Sequence, residues 1–340
     1  MLSDADQKRS RIIFNLLKEA TSQQVVREFL KDKGIATSGS WEVIYSERIL
    51  PALKSKKLEL VDLEVLLREV EEHGRQHIFV YKCKPDDAEK LLKRSRIEDI
   101  AATAGLSHLI TQPHYVEMPD QPEVVDIRLN EAPNGSGLLS LTIKVCETRE
   151  SSKYVGDDFD PATSRRIKIY EIKKKRAICI AHLGLDGILE LRIASRDTSK
   201  YDEQISMLIR LVNSFFPMDS FEKASLSKAK ETLFNKQEEL EGQVRYTNTT
   251  AKNDFGVSLN LAAFNLTKSL MDDDGSTSAI KEFLAKNGFV TGSNIWFIIP
   301  DDVERQIHTV LNGEVHEFAI PAACTPGEYS YVFRKILSFN

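Results

Sequence analysis

Apolar residues in the first hundred positions recur at helical spacing. Ile12, Ile13, Leu16 and Leu17 follow a charged start, and Val25, Val26, Phe29 and Leu30 repeat the pattern as far as Gly34, a suitable helix-ending glycine. Leu60, Leu63, Leu66, Leu67 and Val70 share one stripe and predict a helix over 58–72, stopping at His73-Gly74. Residues 77–83 then read as a short buried strand and 86–93 as a short helix. From Glu123 the period becomes two. Val125, Ile127 and Leu129 alternate with Asp126 and Arg128; beyond the turn-rich segment Pro133-Asn134-Gly135-Ser136-Gly137, Leu139, Leu141, Ile143 and Val145 alternate with Ser140, Thr142, Lys144 and Cys146. That pattern predicts an antiparallel hairpin with one core face. Segments 166–172, 177–181 and 187–193 predict further strands, and 155–164 a polar loop. Ile205, Leu208, Ile209 and Val212 return to a helical stripe ending before Pro217. Asp219 and Glu222 have capping-box spacing and predict a polar helix to about Leu240. Residues 272–277 read as a polar loop, and a small α/β unit from Ile280 closes in a strand over 329–337.

These elements place the chain in the α+β class. They divide into a mainly helical segment 1–115, an antiparallel sheet with a covering helix at 116–218, and a linking helix with a small α/β unit at 219–340. A content of 41% hydrophobic and 29% charged residues excludes wholesale disorder. The net charge of −5 excludes a surface that is basic throughout, yet it leaves room for a local basic patch. Cys83, Cys146, Cys179 and Cys324 form no CxxC pair, and a chain of this length can bury a core without disulfides, so four reduced thiols in a cytoplasmic protein are expected. The first residues are charged and carry no apolar run of the signal-peptide kind. The most apolar stretch, 177–193, is interrupted by His182, Asp186, Glu190 and Arg192, so no membrane span is expected.

The two ends of the chain echo one another. Glu28, Phe29, Leu30, Gly34 and Thr37 coincide with Glu282, Phe283, Leu284, Gly288 and Thr291, and one inserted residue brings Trp41 onto Trp296. Each copy reads as a helix, a glycine stop and an anchoring Trp, which is either a repeat or convergent capping chemistry. In the first copy, FLKDKGI, then TSGS, then an apolar segment with Ile49-Leu50 resembles the SAP motif, a small helix–loop–helix DNA-binding module, over residues 25–53. The resemblance implies a loop and second-helix N-terminus set against a DNA backbone. Trp41 and Glu42 stand where that family usually has a basic residue, and a purely structural helical hairpin is the alternative.

The densest charge lies further on. Arg165, Arg166, Lys168, Lys173, Lys174, Lys175 and Arg176 face a single acid, Glu171, within one stretch. On a strand, Lys168, Tyr170, Ile172, Lys174 and Arg176 would share a side, giving a row of cations for phosphates with Tyr170 for stacking. A solvated edge strand is equally compatible with the pattern, and a docking surface for an acidic partner is a third reading. Asp158, with Glu171 and Lys173 two apart, is similar to the pattern of PD-(D/E)xK nucleases; the resemblance implies Mg²⁺ held by the acids and water activated by Lys173. It requires Asp158 to reach Glu171 and Lys173 from a neighbouring strand. Other constellations fail on spacing. Aligning Gly275 to the sixth position of an EF-hand loop puts Leu270 first and Lys281 twelfth. His73 and His77 flank a helix end, and His182 sits among apolar strand residues as a core histidine. No phosphate-binding or nucleophile-elbow motif occurs. The expectation is therefore a non-enzymatic binding or adaptor protein without cofactor or metal, using 165–176 on nucleic acid or another acidic surface. A Mg²⁺-dependent nuclease and a structural subunit of a larger assembly are the alternatives.

Overall fold

The computed structural model describes residues 2–133, 135, 137–195, 201–236, 239–240, 242–263, 268–300 and 302–340. Asn134 and Ser136 of the anticipated turn, and Gln237 and Glu238 of the anticipated polar helix, lie outside the described residues.

The chain begins with a helical unit comprising α1 (Asp4–Ala20), α2 (Gln23–Asp32), α3 (Trp41–Val43), a π-helical turn over Ile44–Ile49, α4 (Leu50–Lys54) and α5 (Leu60–Glu72). Ser3 caps α1 by accepting from the Asp6 amide at 3.0 Å, and Glu59 with Asp62 forms a capping box at α5. Ile13, Phe14, Leu17, Leu30, Ile44 and Leu67 fill a core whose fully buried members all come from residues 13–67. The helical unit thus has an apolar centre of its own.

Next come β1 (Gly74–Lys82), α6 (Pro85–Leu91), α7 (Arg94–Thr103), α8 (His108–Thr111), β2 (Glu123–Glu131), β3 (Leu138–Asp160), β4 (Arg165–Gly184), β5 (Ile188–Ala194) and α9 (Asp202–Val212). The remainder is β6 (Glu222–Lys223), α10 (Ser227–Asn235), β7 (Val244–Asn253), β8 (Ser258–Ala262), α11 (Asp274–Ala285), β9 (Gly288–Ile299), β10 (Asp302–Leu311), β11 (Glu317–Ala323) and α12 (Pro326–Ser338). The strands make one antiparallel sheet in the order β2-β3-β4-β5-β1-β11-β10-β9-β7-β8, with β6 also on β1. The fold is α+β.

Strand β1 lies in the first of the three segments expected from sequence, yet it joins the two halves of the sheet. Its alternation explains how. Phe79 and Tyr81 enter a core built with Leu141, Ile143, Leu191, Leu208 and Phe216, whereas Ile78 and Val80 enter a core with Leu233, Phe297, Phe318 and Val332. Period two sends alternate side chains to opposite faces, so the two halves of the sheet are covered by helices on opposite sides. Gly74 opens β1 at φ +75°, and a Cβ there would overlap the Ala322 carbonyl.

Several expectations change. Residues 326–338 form a helix and not a strand: Thr325 and Glu328 make a capping box, and Tyr329, Val332, Phe333 and Ile336 bury at helical spacing. The polar helix expected over 219–240 shortens to α10, because Glu222 and Lys223 are spent pairing with Lys82 and Tyr81 of β1. The echoed segments agree through α2 and α11 only. Trp41 starts a helix and packs edge-on against Phe14 at 5.6 Å, while Trp296 lies in β9 and stacks on His308 at 4.7 Å. Finally, the loop expected over 155–164 shrinks to the turn 161–164, because β3 runs on to Asp160 and pairs with β4 from Arg165 as one long hairpin.

Candidate functional site

Beyond Glu147 and Ala177 the β3–β4 hairpin leaves the body of the protein. Its register continues unbroken from Thr148↔Arg176 through Ser152↔Ile172 to Tyr154↔Tyr170, passes a bulge at Val155, and ends at Asp160↔Arg165. At the tip the Asp160 carboxylate accepts from the Thr163 hydroxyl at 2.6 Å and the Ala162 amide at 3.0 Å, and the hydroxyl bond above all holds it below the ordinary carboxylate range. These bonds fix the turn around Pro161. Neighbouring strands stop much earlier: β2 pairs no further than Glu123↔Cys146, and β5 no further than Cys179↔Ile193. Residues 165–175 of β4 are all exposed. The arm contributes no residue to any of the hydrophobic cores.

The arm's charge is uneven. Residues 149–176 carry nine Lys and Arg against five Asp and Glu, on a chain whose net charge is −5. The outer part, 154–170, has three of each, so the whole excess belongs to the root. Large apolar side chains stand out instead towards the tip: Tyr154, Val155, Phe159, Ile167, Ile169, Tyr170 and Ile172 are each exposed by 46% or more, a concentration that marks contact surfaces.

The eight residues expected to bind acidic groups fall into two sets. Arg176 is buried at the root, ion-paired with Glu71 of α5 and donating to the Val116 carbonyl at 2.8 Å. It is a structural tie between the arm and the helical unit, which corrects its placement among the free cations. Arg166 pairs with Asp157, Lys174 with Glu150 at 3.2 Å, and Lys173 with Glu171 at 3.6 Å. Tyr170 packs edge-on against Tyr154 at 5.8 Å. Among the described residues, Arg165, Lys168 and Lys175 enter no ion pair, nor do Lys153 on β3 and Arg75 at the start of β1.

Faces matter as much as pairs. On the side of Lys168, Tyr170, Ile172 and Lys174, the cross-strand neighbours are Asp157, Tyr154, Ser152 and Glu150, so acids meet bases and rings meet rings. On the opposite side Lys175 lies across from Arg149 and Lys173 across from Ser151, with Glu171 beside Lys153. Most of the arm's cations without an ion pair lie on this second face, Arg165, Lys153 and Lys175, with Lys168 alone on the first. Arg149 there is partly engaged, through Glu147 at 2.5 Å and the Ala194 carbonyl at 2.7 Å.

Where β5 ends beside the continuing β4, a groove of about 600 Å³ opens. Arg75, Arg149, Lys174, Lys175 and Arg176 line it, with Glu19 and Glu71 as its acids. Arg75 reaches it from a left-handed backbone at φ +53°, immediately after Gly74. Sequence reasoning missed Arg75, Arg149 and Lys153 because they lie outside the basic run. The signal for the latter two is the hairpin register set by the 161–164 turn, which with the bulge at Val155 brings them opposite Lys175 and Glu171.

The nuclease arrangement is not assembled. Asp158 stands opposite Ile167, whereas Lys153 is the residue opposite Glu171, so Asp158 is displaced by four residues, about 13 Å along the strand. Glu171 and Lys173 do share a face, and they engage each other. Among the described residues no three His, Cys, Asp or Glu side chains converge as metal ligands would. The cysteines are free thiols. In the 25–53 hairpin, Glu42 binds Arg11 through both carboxylate oxygens at 2.8 and 2.9 Å, Lys33 binds Asp62 at 2.6 Å, and Lys57 donates to the Gly34 carbonyl.

A buried ionic layer seats the arm on the body. Lys144 of β3 contacts Glu71 at 2.6 Å and Glu72 at 3.2 Å, Arg128 contacts Glu72 at 2.5 Å, and Arg68 contacts Asp126 at 3.7 Å. Burial alone would raise the Glu72 pKa, but the Lys144 and Arg128 charges and hydrogen bonds outweigh it and bring the group down to about 2. No described helix is long and apolar enough to cross a membrane. No protein-family profile and no curated protein sequence matches the chain.

Proposed function

We propose that this protein is a non-enzymatic binding or adaptor component, set in the cytoplasm, that engages an acidic protein surface through the 149–176 arm. One observation carries the reading: a long hairpin stands clear of every core, with its charge excess at the root and apolar side chains along its outer part. Apolar area exposed in this way is stabilised by covering it, and the cationic root selects acidic over basic surfaces. A nucleic-acid backbone fits less well. Asp157, Asp158 and Asp160 would meet phosphates at the tip, and Tyr170 is already packed on Tyr154. In this reading the 25–53 hairpin supports the helical unit that anchors the arm.

The test is fluorescence anisotropy with labelled twenty-residue polyglutamate and with single- and double-stranded DNA and RNA, at two salt concentrations. Wild type is compared with a Lys173→Gln, Lys174→Gln, Lys175→Gln variant that keeps Arg176, since Arg176 holds Glu71. Salt-sensitive binding of polyglutamate that weakens at least tenfold in the variant is expected. Tighter binding of a nucleic acid, lost in the same variant, transfers the proposal to that partner class. Absence of binding at low salt, or binding indifferent to the three substitutions, overturns it.

A further inference from the structure

The arm offers a partner backbone as well as side chains. Strand β4 runs from Arg165 to Gly184, yet β5 pairs with it only from Cys179 inward, so among the described residues its β5-side edge is unpaired over 165–178. This bare edge leads into the groove at the arm's root, in line with the position β5 would occupy if it continued. An unpaired edge presents alternate N–H and C=O groups to any extended chain laid beside it.

We propose that the acidic partner docks here as an added β-strand, through an extended segment in which acidic and apolar residues alternate; this rests on the acidic-partner reading above. The alternation follows from the two faces. A strand beside β4 sends every second side chain to the face of Lys173 and Lys175, with Arg149 across from Lys175, where acids are matched. The intervening side chains lie on the face of Ile172, Tyr170 and Tyr154, where apolar residues are matched between the flanking Lys168 and Lys174. Arg75, at the inner end of the groove, stands ready for a final acidic group.

A second copy of the chain is a poor occupant of the same edge. Antiparallel pairing of two β4 edges about Tyr170 would set Arg166 against Lys174 and Arg165 against Lys175, and like charges directly opposite are destabilising. In that register the edge disfavours its own copy and favours an acidic strand.

The experiment uses the full chain and three labelled peptides: a ten-residue peptide alternating Glu and Val, and two versions of it N-methylated on one or the other set of alternate backbone amides. N-methylation removes donors from one edge while leaving charge and side chains unchanged. The expected result is that the parent peptide binds and that one methylated version binds at least tenfold more weakly. Hydrogen exchange should show new protection over 167–175 with the parent peptide. Lys175→Glu should weaken the parent and improve a Lys/Val peptide, which distinguishes lost contact from lost fold. Equal affinity for all three peptides, or protection confined to other residues, overturns strand addition while leaving the acidic-partner reading intact. Failure of the parent peptide when polyglutamate binds likewise overturns it. Failure of both acidic probes at low salt removes the acidic-partner reading as well.

Discussion

The inner half of the β3–β4 hairpin, 138–148 with 177–184, and its outer half, 149–160 with 165–176, share one register but not one environment. Inside, Leu141, Ile143, Val145, Cys179, Ala181 and Leu183 are fully buried on one face. Lys144 on the other face is locked against Glu71 and Glu72. Outside, rings and aliphatic side chains of similar size stand in water, and ion pairs such as Lys174–Glu150 are more than half exposed. The same residue types therefore do different work. Burial turns alternation into stability in the inner half, and its absence leaves the outer half as surface for another molecule. Isolated two-stranded ribbons are marginal in water, so the arm depends on the sheet at its root and on Arg176 for its order.

The comparison breaks most sharply at Lys144. Replacing it by alanine removes the buried cation that Glu71 and Glu72 share and leaves them only Arg176 and Arg128, and the expected loss is about 3 kcal/mol by denaturant unfolding. The exposed counterpart, Lys174→Ala, should cost under about 1 kcal/mol. Comparable losses for the two would remove the distinction between buried and exposed pairs. Next come the aliphatic positions: Ile143→Ala should cost about 2–5 kcal/mol, and Ile169→Ala about 0.5 kcal/mol or less.

Acid should act most on buried groups. The Glu72 carboxyl titrates near 2 in the folded chain against an ordinary value of 4.5, so its contribution is present above 4.5 and is lost as pH falls from 4.5 towards 2. Glu72→Gln should flatten that part of the stability–pH curve. Burial lowers His73 and His316 to about 4, chiefly by disfavouring the charged imidazole. The unfolded chain then binds more protons between about 4 and 6.5, and stability declines as pH falls through that window. Imidazole resonances followed by NMR should show both rings neutral at pH 5.5; midpoints near 6.5 would contradict their burial.

How much of this was readable in the sequence depends on which neighbours decide each element. The β2–β3 hairpin was legible because Val125 to Val145 alternates cleanly between apolar and polar positions. The outer arm was not, since both faces of 149–160 are polar enough to read as loop, and only pairing with 165–176 makes them strand. In α12, Tyr329, Tyr331, Val332 and Phe333 look like strand residues; the Thr325–Glu328 capping box and packing against Phe318 decide for helix. The concentration of basic residues was visible. Its division was hidden, because the Glu71 that claims Arg176 lies more than a hundred residues away in sequence.

The smallest expected effect on stability is also the most direct test of function. Residues 153–171 can be replaced by Asn-Gly, which joins the paired residues Ser152 and Ile172 through a two-residue turn and preserves Lys144, Arg149 and Arg176. Anisotropy with the alternating Glu/Val peptide and with polyglutamate, alongside a thermal melt, compares this shortened protein with wild type. The account predicts an unfolding midpoint within a few degrees of wild type and at least a tenfold loss of affinity for the Glu/Val peptide, whose apolar positions lose Tyr154 and Tyr170, while polyglutamate, held by Lys173, Lys174 and Lys175, keeps its affinity. Undiminished binding of the Glu/Val peptide by the shortened protein would contradict the assignment of the arm's outer part as partner surface.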